Sequence, residues 1–176
     1  MGFNKRSNHG PNPANISDNT RVCLSMEGVV VRDTGYAAAR GATRDNEGNW
    51  IVGFTRFLGV CSPFEAEVWG ILEGILILLN KGYRLILILN DNLEVVQTLS
   101  DLNLENSGIS VFRKTQRIIK AEGVWKIKHI PRSLNLVTNS LAKLSLNWKS
   151  TLQVFNEPPK DTIDLLQDDK VNGCLM

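Results

Sequence analysis

The segment from residue 62 to residue 91 constrains the fold most, because it predicts one helix that leads directly into one buried strand. Ser62 is a favourable N-cap, and Pro63 suits the first helical position, where its missing N–H carries no cost. Apolar side chains then recur at helical spacing until Gly82, which is typical of a helix end. Residues 83–89 are almost wholly apolar, as in a strand covered on both faces. The segment therefore indicates an α/β fold.

Acidic residues lie at both ends of this segment. Glu67 falls near the start of the predicted helix, and Asp91 follows directly after the predicted strand. Ligands of open α/β sheets bind at the carboxyl ends of the strands, so both acids are candidate site residues. Taken singly, Glu67 is explained as a solvated glutamate favoured by the helix dipole, and Asp91 as the cap of the next helix. Glu27, at the end of the first predicted strand, adds a third acid on a strand.

The composition predicts one folded domain with a tail at each end. The chain has 176 residues, of which 43% are hydrophobic, and this is enough for a single packed core. Residues 1–20 combine Asn, Ser, Gly and Pro with few apolar side chains, so we expect a disordered tail there. The folded domain is expected over residues 21–147, and residues 148–176 are expected to form a tail that is at most partly helical.

The other predicted elements complete a sheet. Alternating apolar residues and turn signals predict strands at 22–27, 36–43, 50–57 and 124–130. Helical spacing predicts helices at 93–100, 109–121 and 135–146. This order predicts a five-stranded mixed sheet, three antiparallel strands followed by two parallel ones, flanked by helices.

Basic residues are concentrated in one part of an otherwise balanced chain, whose net charge is +2. Between residues 109 and 132 they outnumber acids strongly, and the candidate nucleic-acid-binding residues are Arg113, Lys114, Arg117, Lys120, Lys126 and Lys128. With Trp125 interleaved, these side chains could follow a phosphate backbone. A solvated basic helix face is the alternative.

The three cysteines are widely spaced and match neither a disulfide framework nor a zinc site. The N-terminal residues lack the apolar core of a secretion signal, and no apolar run is long enough to span a membrane. We therefore expect a monomeric intracellular protein of the nucleus or cytosol, neither secreted nor bound to membranes.

Several spaced motifs occur in an order that resembles a known family. They are Gly41-Ala42-Thr43-Arg44-Asp45, Gly48-Asn49-Trp50-Ile51, Phe64-Glu65-Ala66-Glu67, Leu89-Asn90-Asp91-Asn92, His129-Ile130-Pro131 and Ser140-Leu141-Ala142-Lys143. Over roughly residues 21–146 the chain is similar to the ribonuclease H type 1 domain, and more narrowly to its plant reverse-transcriptase-like, retroelement-related subset.

This resemblance implies a nuclease. Family members cut the RNA strand of RNA–DNA hybrids with two Mg²⁺ ions, for which Mn²⁺ can substitute, held by four carboxylates. By resemblance the ligand positions, which are also the catalytic positions, fall on Glu27, Glu67, Asp91 and Asn139. His129 corresponds to a histidine that relays protons in some members. Two divalent cations about 4 Å apart need several anionic oxygens to offset their mutual repulsion.

Two of the four ligand positions depart from the family pattern. The family has Asp where this chain has Glu27, which moves the charge outward by one methylene group. Asn139 offers a neutral carbonyl oxygen in place of a carboxylate. Both departures predict weaker cation binding and impaired cleavage.

The resemblance also leaves alternatives open. Ser62 stands where the family lets a small polar residue approach the substrate backbone, but Pro63 and Phe64 replace polar neighbours that contact RNA 2′-hydroxyls. His129 is equally explained as a half-buried strand histidine. The chain is therefore an RNA–DNA hybrid ribonuclease, a degenerate nucleic-acid-binding module, or an inert relic of a mobile element.

Overall fold

The computed structural model describes residues 20–100, 110–122, 125–132, 152–160 and 162–163. Within them lie β1 (Arg21–Val30), β2 (Tyr36–Asp45), β3 (Trp50–Val60), α1 (Pro63–Asn80), β4 (Leu85–Asn90), α2 (Leu93–Ser100), α3 (Ser110–Glu122), β5 (Trp125–His129) and β6 (Gln153–Phe155). The predicted N-terminal tail through residue 19 and the predicted helix 135–146 fall outside the described residues.

The strands form one mixed sheet in the order β5-β4-β1-β2-β3-β6. β2 is antiparallel to β1 and to β3, whereas β4 is parallel to β1 and β5 is parallel to β4. This arrangement confirms the predicted α/β class with three antiparallel strands and two parallel additions. The predicted strand number was one too low, because β6 adds an antiparallel strand at the free edge of β3.

Local sequence signals explain where α1 begins and ends. The Ser62 hydroxyl accepts a hydrogen bond of 3.1 Å from the backbone N–H of Glu65, and Pro63 occupies the first turn. Gly82 follows the helix with a φ of 94°, a backbone conformation that glycine adopts without strain. The predicted helix is confirmed, and it delivers the chain into β4 after only a short turn.

The core lies between α1 and one face of the sheet. Val22, Leu24 and Met26 alternate along β1 and are fully buried against the helix. A methyl group at Gly70 would collide with Met26, and one at Gly74 would collide with Leu24, so the missing side chains let α1 lie directly on β1. This contact fixes the first turn of α1 beside the carboxyl end of β1.

β6 lies within the range predicted as a C-terminal tail. The indole N–H of Trp50 donates a hydrogen bond of 3.1 Å to the carbonyl oxygen of Phe155. The ammonium group of Lys81 donates to the side-chain oxygen of Asn156 at 3.3 Å. These contacts join the β6 segment to both β3 and the end of α1.

Two further expectations concern the cysteines and the membrane. Cys23 is engaged in a disulfide bond and Cys61 is free, so the expectation that no cysteine would be paired was wrong at Cys23. Among the described residues, no helix combines the length and the apolar character needed to cross a bilayer.

Candidate active site

Glu67 is the central side chain of the site. It lies in the first turns of α1 and is only 5% exposed. Its Oε2 atom accepts a hydrogen bond of 2.8 Å from the side-chain amide of Asn90, and the backbone N–H of Gly28 donates a second hydrogen bond to its carboxyl group. The end of β1, the start of α1 and the end of β4 therefore meet at one carboxyl group.

Burial dominates the protonation of this group. Desolvation raises the pKa of Glu67 from its ordinary 4.5 to about 7, and the hydrogen bonds from Asn90 and Gly28 oppose the rise. The negative charges of Asp91 and Glu27 also contribute to this raised pKa. Three acids are therefore electrostatically coupled, and a cation placed among them would favour the ionised form of Glu67.

Gly28 makes this arrangement possible. A Cβ atom at Gly28 would lie 2.6 Å from the backbone nitrogen of Glu67 and 2.7 Å from the carbonyl carbon of Ala66. Any side chain there would push β1 away from the first turns of α1. The Glu27-Gly28 pair at a strand end was a sequence signal for a required glycine. The sequence did not indicate that α1 is the element packed against this glycine.

Asn90 was not predicted as a site residue. It is fully buried. In addition to the hydrogen bond to Glu67, its side-chain amide donates a hydrogen bond of 3.3 Å to the backbone carbonyl of Met26. Its Oδ1 atom accepts a hydrogen bond of 2.8 Å from the backbone N–H of Asn92. Asn90 therefore orients the Glu67 carboxyl group and also shapes the loop that carries Asp91. Its position directly before Asp91 was the only sequence signal.

Asp91 presents an oxygen whose hydrogen-bonding capacity is unused. Its side chain is 5% exposed, and its buried Oδ2 atom has no hydrogen-bond partner among the described residues. The nearest cation is the Nε atom of Arg132 at 3.6 Å, within ion-pair range but beyond a hydrogen bond. Because buried carboxylate oxygens are normally satisfied, this atom marks a place for a cationic ligand.

His129 lies beside Asp91 at the end of β5, where it is paired in register with Asn90 of β4. Its Nε2 atom is 3.2 Å from the backbone carbonyl oxygen of Asp91. A carbonyl only accepts, so this contact requires the proton on Nε2 and leaves Nδ1 as an acceptor. The imidazole is exposed and lies next to Asp91.

Glu27 belongs to the opposite face of the sheet. Its neighbours Met26 and Gly28 contact α1, and alternation along β1 directs Glu27 away from that helix. There its Oε2 atom accepts a hydrogen bond of 2.9 Å from the guanidinium of Arg40, which lies directly opposite on β2. Glu27 is thus near enough to raise the pKa of Glu67 but is held by a cationic side chain.

The described side chains supply only part of the predicted cation-binding set. No group of three or more His, Cys, Asp or Glu within the described ranges could hold a metal ion. Glu67 and Asp91 supply coupled carboxyl groups with one unpartnered buried oxygen. Asn139, the fourth predicted ligand, lies outside the described residues.

The predicted nucleic-acid-binding residues do not form one surface. Arg113, Arg117 and Lys120 are exposed on α3 and line a shallow pocket with Gln116, whose buried Nε2 atom has no described hydrogen-bond partner. Lys114 is exposed on the same helix but does not line this pocket.

Lys126 and Lys128 are exposed on β5. Ile127, between them, packs against the hydrophobic core, so the two lysines project from the other face of the sheet. Ser62 lies elsewhere, exposed at the start of α1, where its hydroxyl serves as the helix cap. The binding role predicted for these residues stays a prediction.

Solved structures define the class of fold. The RNase H1 of the archaeon Halobacterium salinarum matches with a TM-score of 0.62 and 19% identity over 72% of this chain and 98% of its own. The N-terminal RNase H domain of Mycobacterium tuberculosis Rv2228c matches with a TM-score of 0.66 and 16% identity over 73% and 94%. LC11-RNase H1, solved in complex with an RNA/DNA hybrid, gives a TM-score of 0.58 and 14% identity over 68% and 92%. The chain has the ribonuclease H fold.

A sequence family narrows this class. The family described as Reverse transcriptase-like matches residues 25–145, and the chain belongs to it. A relative from Arabidopsis thaliana, whose name includes the words ribonuclease H protein, is 25% identical over 153 residues. The match covers 86% of this chain, which spans about a quarter of that relative's length. The predicted resemblance is confirmed.

Proposed function

We propose that this chain is a nucleic-acid-binding hydrolase that cleaves the RNA strand of RNA–DNA hybrids with the help of divalent cations. The observation that carries the proposal is the buried Glu67 carboxyl group, coupled to the unpartnered Oδ2 atom of Asp91 at the carboxyl edge of a ribonuclease H fold. The names of the relatives support the same reaction class.

Mg²⁺ is the proposed cofactor, because it prefers the oxygen ligands that Glu67 and Asp91 provide. When bound, divalent cations activate a water molecule and stabilise charge on the leaving oxygen. Asn90 orients Glu67 for this role, and the free Nδ1 atom of His129 accepts a proton beside Asp91. Glu27 and Asn139 occupy the two remaining ligand positions by resemblance, and we propose that their departures from the family pattern impair cleavage.

The test is cleavage of a labelled RNA–DNA hybrid. We expect slow, endonucleolytic cutting of the RNA strand with Mg²⁺ and faster cutting with Mn²⁺, whose coordination geometry is less exacting. Asp91→Asn removes the anionic oxygen while keeping the size of the side chain, and this variant should be inactive. No RNA cleavage by the folded protein at high concentration with either ion would contradict the proposal.

A second candidate function is nucleic-acid binding without cleavage. The exposed Arg113, Arg117 and Lys120 together with the unpartnered amide of Gln116 offer phosphate groups a set of donors on α3. This surface does not involve the carboxylates, so it would persist in a chain that had lost its chemistry.

Charge reversal on α3 tests this binding surface. Arg117→Glu should weaken hybrid binding by about tenfold at low salt and make the affinity less dependent on salt, because a phosphate contact is lost. Lys114→Glu is the matched control, with the same charge change on the same helix but outside the pocket. Fluorescence anisotropy across a salt series measures both. Equal effects of the two variants, or binding that does not depend on salt, would speak against a phosphate site at Arg117.

A further inference from the structure

Arg40 is an isolated charge inside a strand of small residues. It is 4% exposed, and its neighbours Ala39 and Ala42 are as deeply buried. Its Nη2 atom donates to Oε2 of Glu27 at 2.9 Å, while its Nε and Nη1 atoms have no hydrogen-bond partner within the described residues. The cation is therefore buried with a single described partner, the acid at the end of β1.

Such a pair is poorly explained by stability alone. Burying a guanidinium group is costly, and the single contact leaves two of its three nitrogen atoms without a described hydrogen-bond partner. The contact does have an electrostatic consequence, because a fixed positive charge neutralises Glu27 and repels any second cation that approaches the same oxygen.

The same contact removes Glu27 from the acids that are free to bind. The Oε2 atom of Glu27 accepts a hydrogen bond from a buried guanidinium group. Oδ2 of Asp91 accepts none from the described residues, and the charge near it is that of the exposed Arg132, at 3.6 Å. A cation therefore remains favourable at Glu67 and Asp91 but not at Glu27.

We propose, building on the proposed function, that the Arg40 guanidinium is a resident counter-ion that takes the place of one divalent cation. The protein then binds one divalent cation, at Glu67 and Asp91, and Glu27 is not among its ligands. An uncharged residue at position 40 would release Glu27 as a cation ligand.

The experiment counts bound Mn²⁺ by electron paramagnetic resonance in the absence of nucleic acid. We expect one Mn²⁺ for the unmodified protein. For Arg40→Met, which keeps much of the side-chain length without charge, we expect either a second bound ion or affinity tighter by about tenfold or more. Arg40→Lys keeps the positive charge and should behave like the unmodified protein. The double variant Arg40→Met/Glu27→Gln lacks the Glu27 carboxylate, so the gain in Mn²⁺ binding seen with Arg40→Met should disappear.

Two results would overturn the proposal. One is a folded Arg40→Met protein that binds Mn²⁺ with unchanged number and affinity. The other comes from Glu27→Gln alone, which keeps an acceptor for Arg40 and does not depend on Arg40→Met folding. The proposal requires that this variant bind Mn²⁺ as tightly as the unmodified protein, and a loss of affinity would show that Glu27 is already a ligand.

The measurement is independent of catalysis. If Arg40→Met gains Mn²⁺ binding but the unmodified protein does not cleave the hybrid, the counter-ion role of Arg40 is supported and the proposed function is refuted. Cleavage by the unmodified protein together with Mn²⁺ bound through Glu27 would support the proposed function while refuting the counter-ion.

Discussion

Glu67→Gln is expected to stabilise the cation-free protein at pH 8 and to abolish cleavage of RNA–DNA hybrids. Both effects follow from the burial of this carboxyl group, which is only 5% exposed. Gln keeps the carbonyl oxygen that accepts from Asn90 but carries no charge to desolvate. It cannot supply an anionic oxygen to a cation, so we expect hybrid cleavage to fall by on the order of a hundredfold or more.

The sign of the stability effect follows from the direction of the pKa shift. Folding raises the pKa of Glu67 from 4.5 to about 7, so between these values the folded protein binds more protons than the unfolded chain. The contribution of Glu67 to stability is therefore greatest below about pH 4.5, decreases as pH rises to about 7, and is lowest above that. The full difference amounts to about 3 kcal/mol, and we expect Glu67→Gln to recover 1–3 kcal/mol of it, as an order of magnitude, at pH 8.

Urea denaturation at pH 5 and pH 8 without divalent cations measures this effect. The gain for Glu67→Gln should be clear at pH 8 and small at pH 5. Glu94→Gln is the control, since Glu94 is an exposed glutamate in the first turn of α2 and its loss should not stabilise the protein at either pH. Destabilisation of Glu67→Gln at pH 8 would mean that the charged form of Glu67 is favoured in the folded protein.

The second large effect is expected from changing Glu27 and Asn139, the two departures from the family pattern, to the aspartates of the family. The double change Glu27→Asp/Asn139→Asp should increase hybrid cleavage by on the order of a hundredfold, because a misplacement of about 1 Å in a catalytic group costs that much. Each single change should help less than the pair, since ligands of one site act as a unit. Glu27→Asp also shortens the side chain that now reaches Arg40 at 2.9 Å, which weakens that competing contact.

Single-turnover cleavage of a labelled hybrid compares the two single variants and the double variant. Asp91→Asn in the double-variant background should remove whatever is gained. If the double variant folds and binds hybrid but cuts no faster than the unmodified protein, the assigned ligand positions are wrong or Pro63 and Phe64 have removed essential substrate contacts. Adding Arg40→Met to the double variant then tests a third explanation. Cleavage that rises only in this triple variant would mean that the Arg40 charge, and neither of those two causes, had prevented activity.

The features predictable from the sequence are those governed by short-range rules. Ser62, Pro63 and Gly82 mark the ends of α1 through capping and backbone geometry, and the structure confirms the helix they predict. Asp91 follows from the general rule that sites lie at strand carboxyl ends. These signals also placed Glu67 near the start of the helix and Asp91 directly after the buried strand.

The features not predictable from the sequence depend on register and three-dimensional contacts. The Arg40–Glu27 pair requires the exact alignment of β1 with β2, although a lone arginine in an alanine-rich strand was a visible signal. Asn90 could be identified only once its amide was seen to reach Glu67. β6 is a strand of three residues that exists through its pairing with β3, so its own sequence carried no sufficient signal.

The pairing of β6 determines which part of one sheet edge is open to a second strand. Unpaired strand edges invite a second chain to add a strand, and β3 would present such an edge at Gly53, which has no side chain to obstruct it. β6 covers β3 from Gly53 to Thr55. At the other edge of the described sheet, β5 carries the exposed charges of Lys126 and Lys128, which make edge-to-edge pairing of two copies unfavourable. The chain itself therefore covers the Gly53–Thr55 part of one edge, and charge disfavours strand addition at the other.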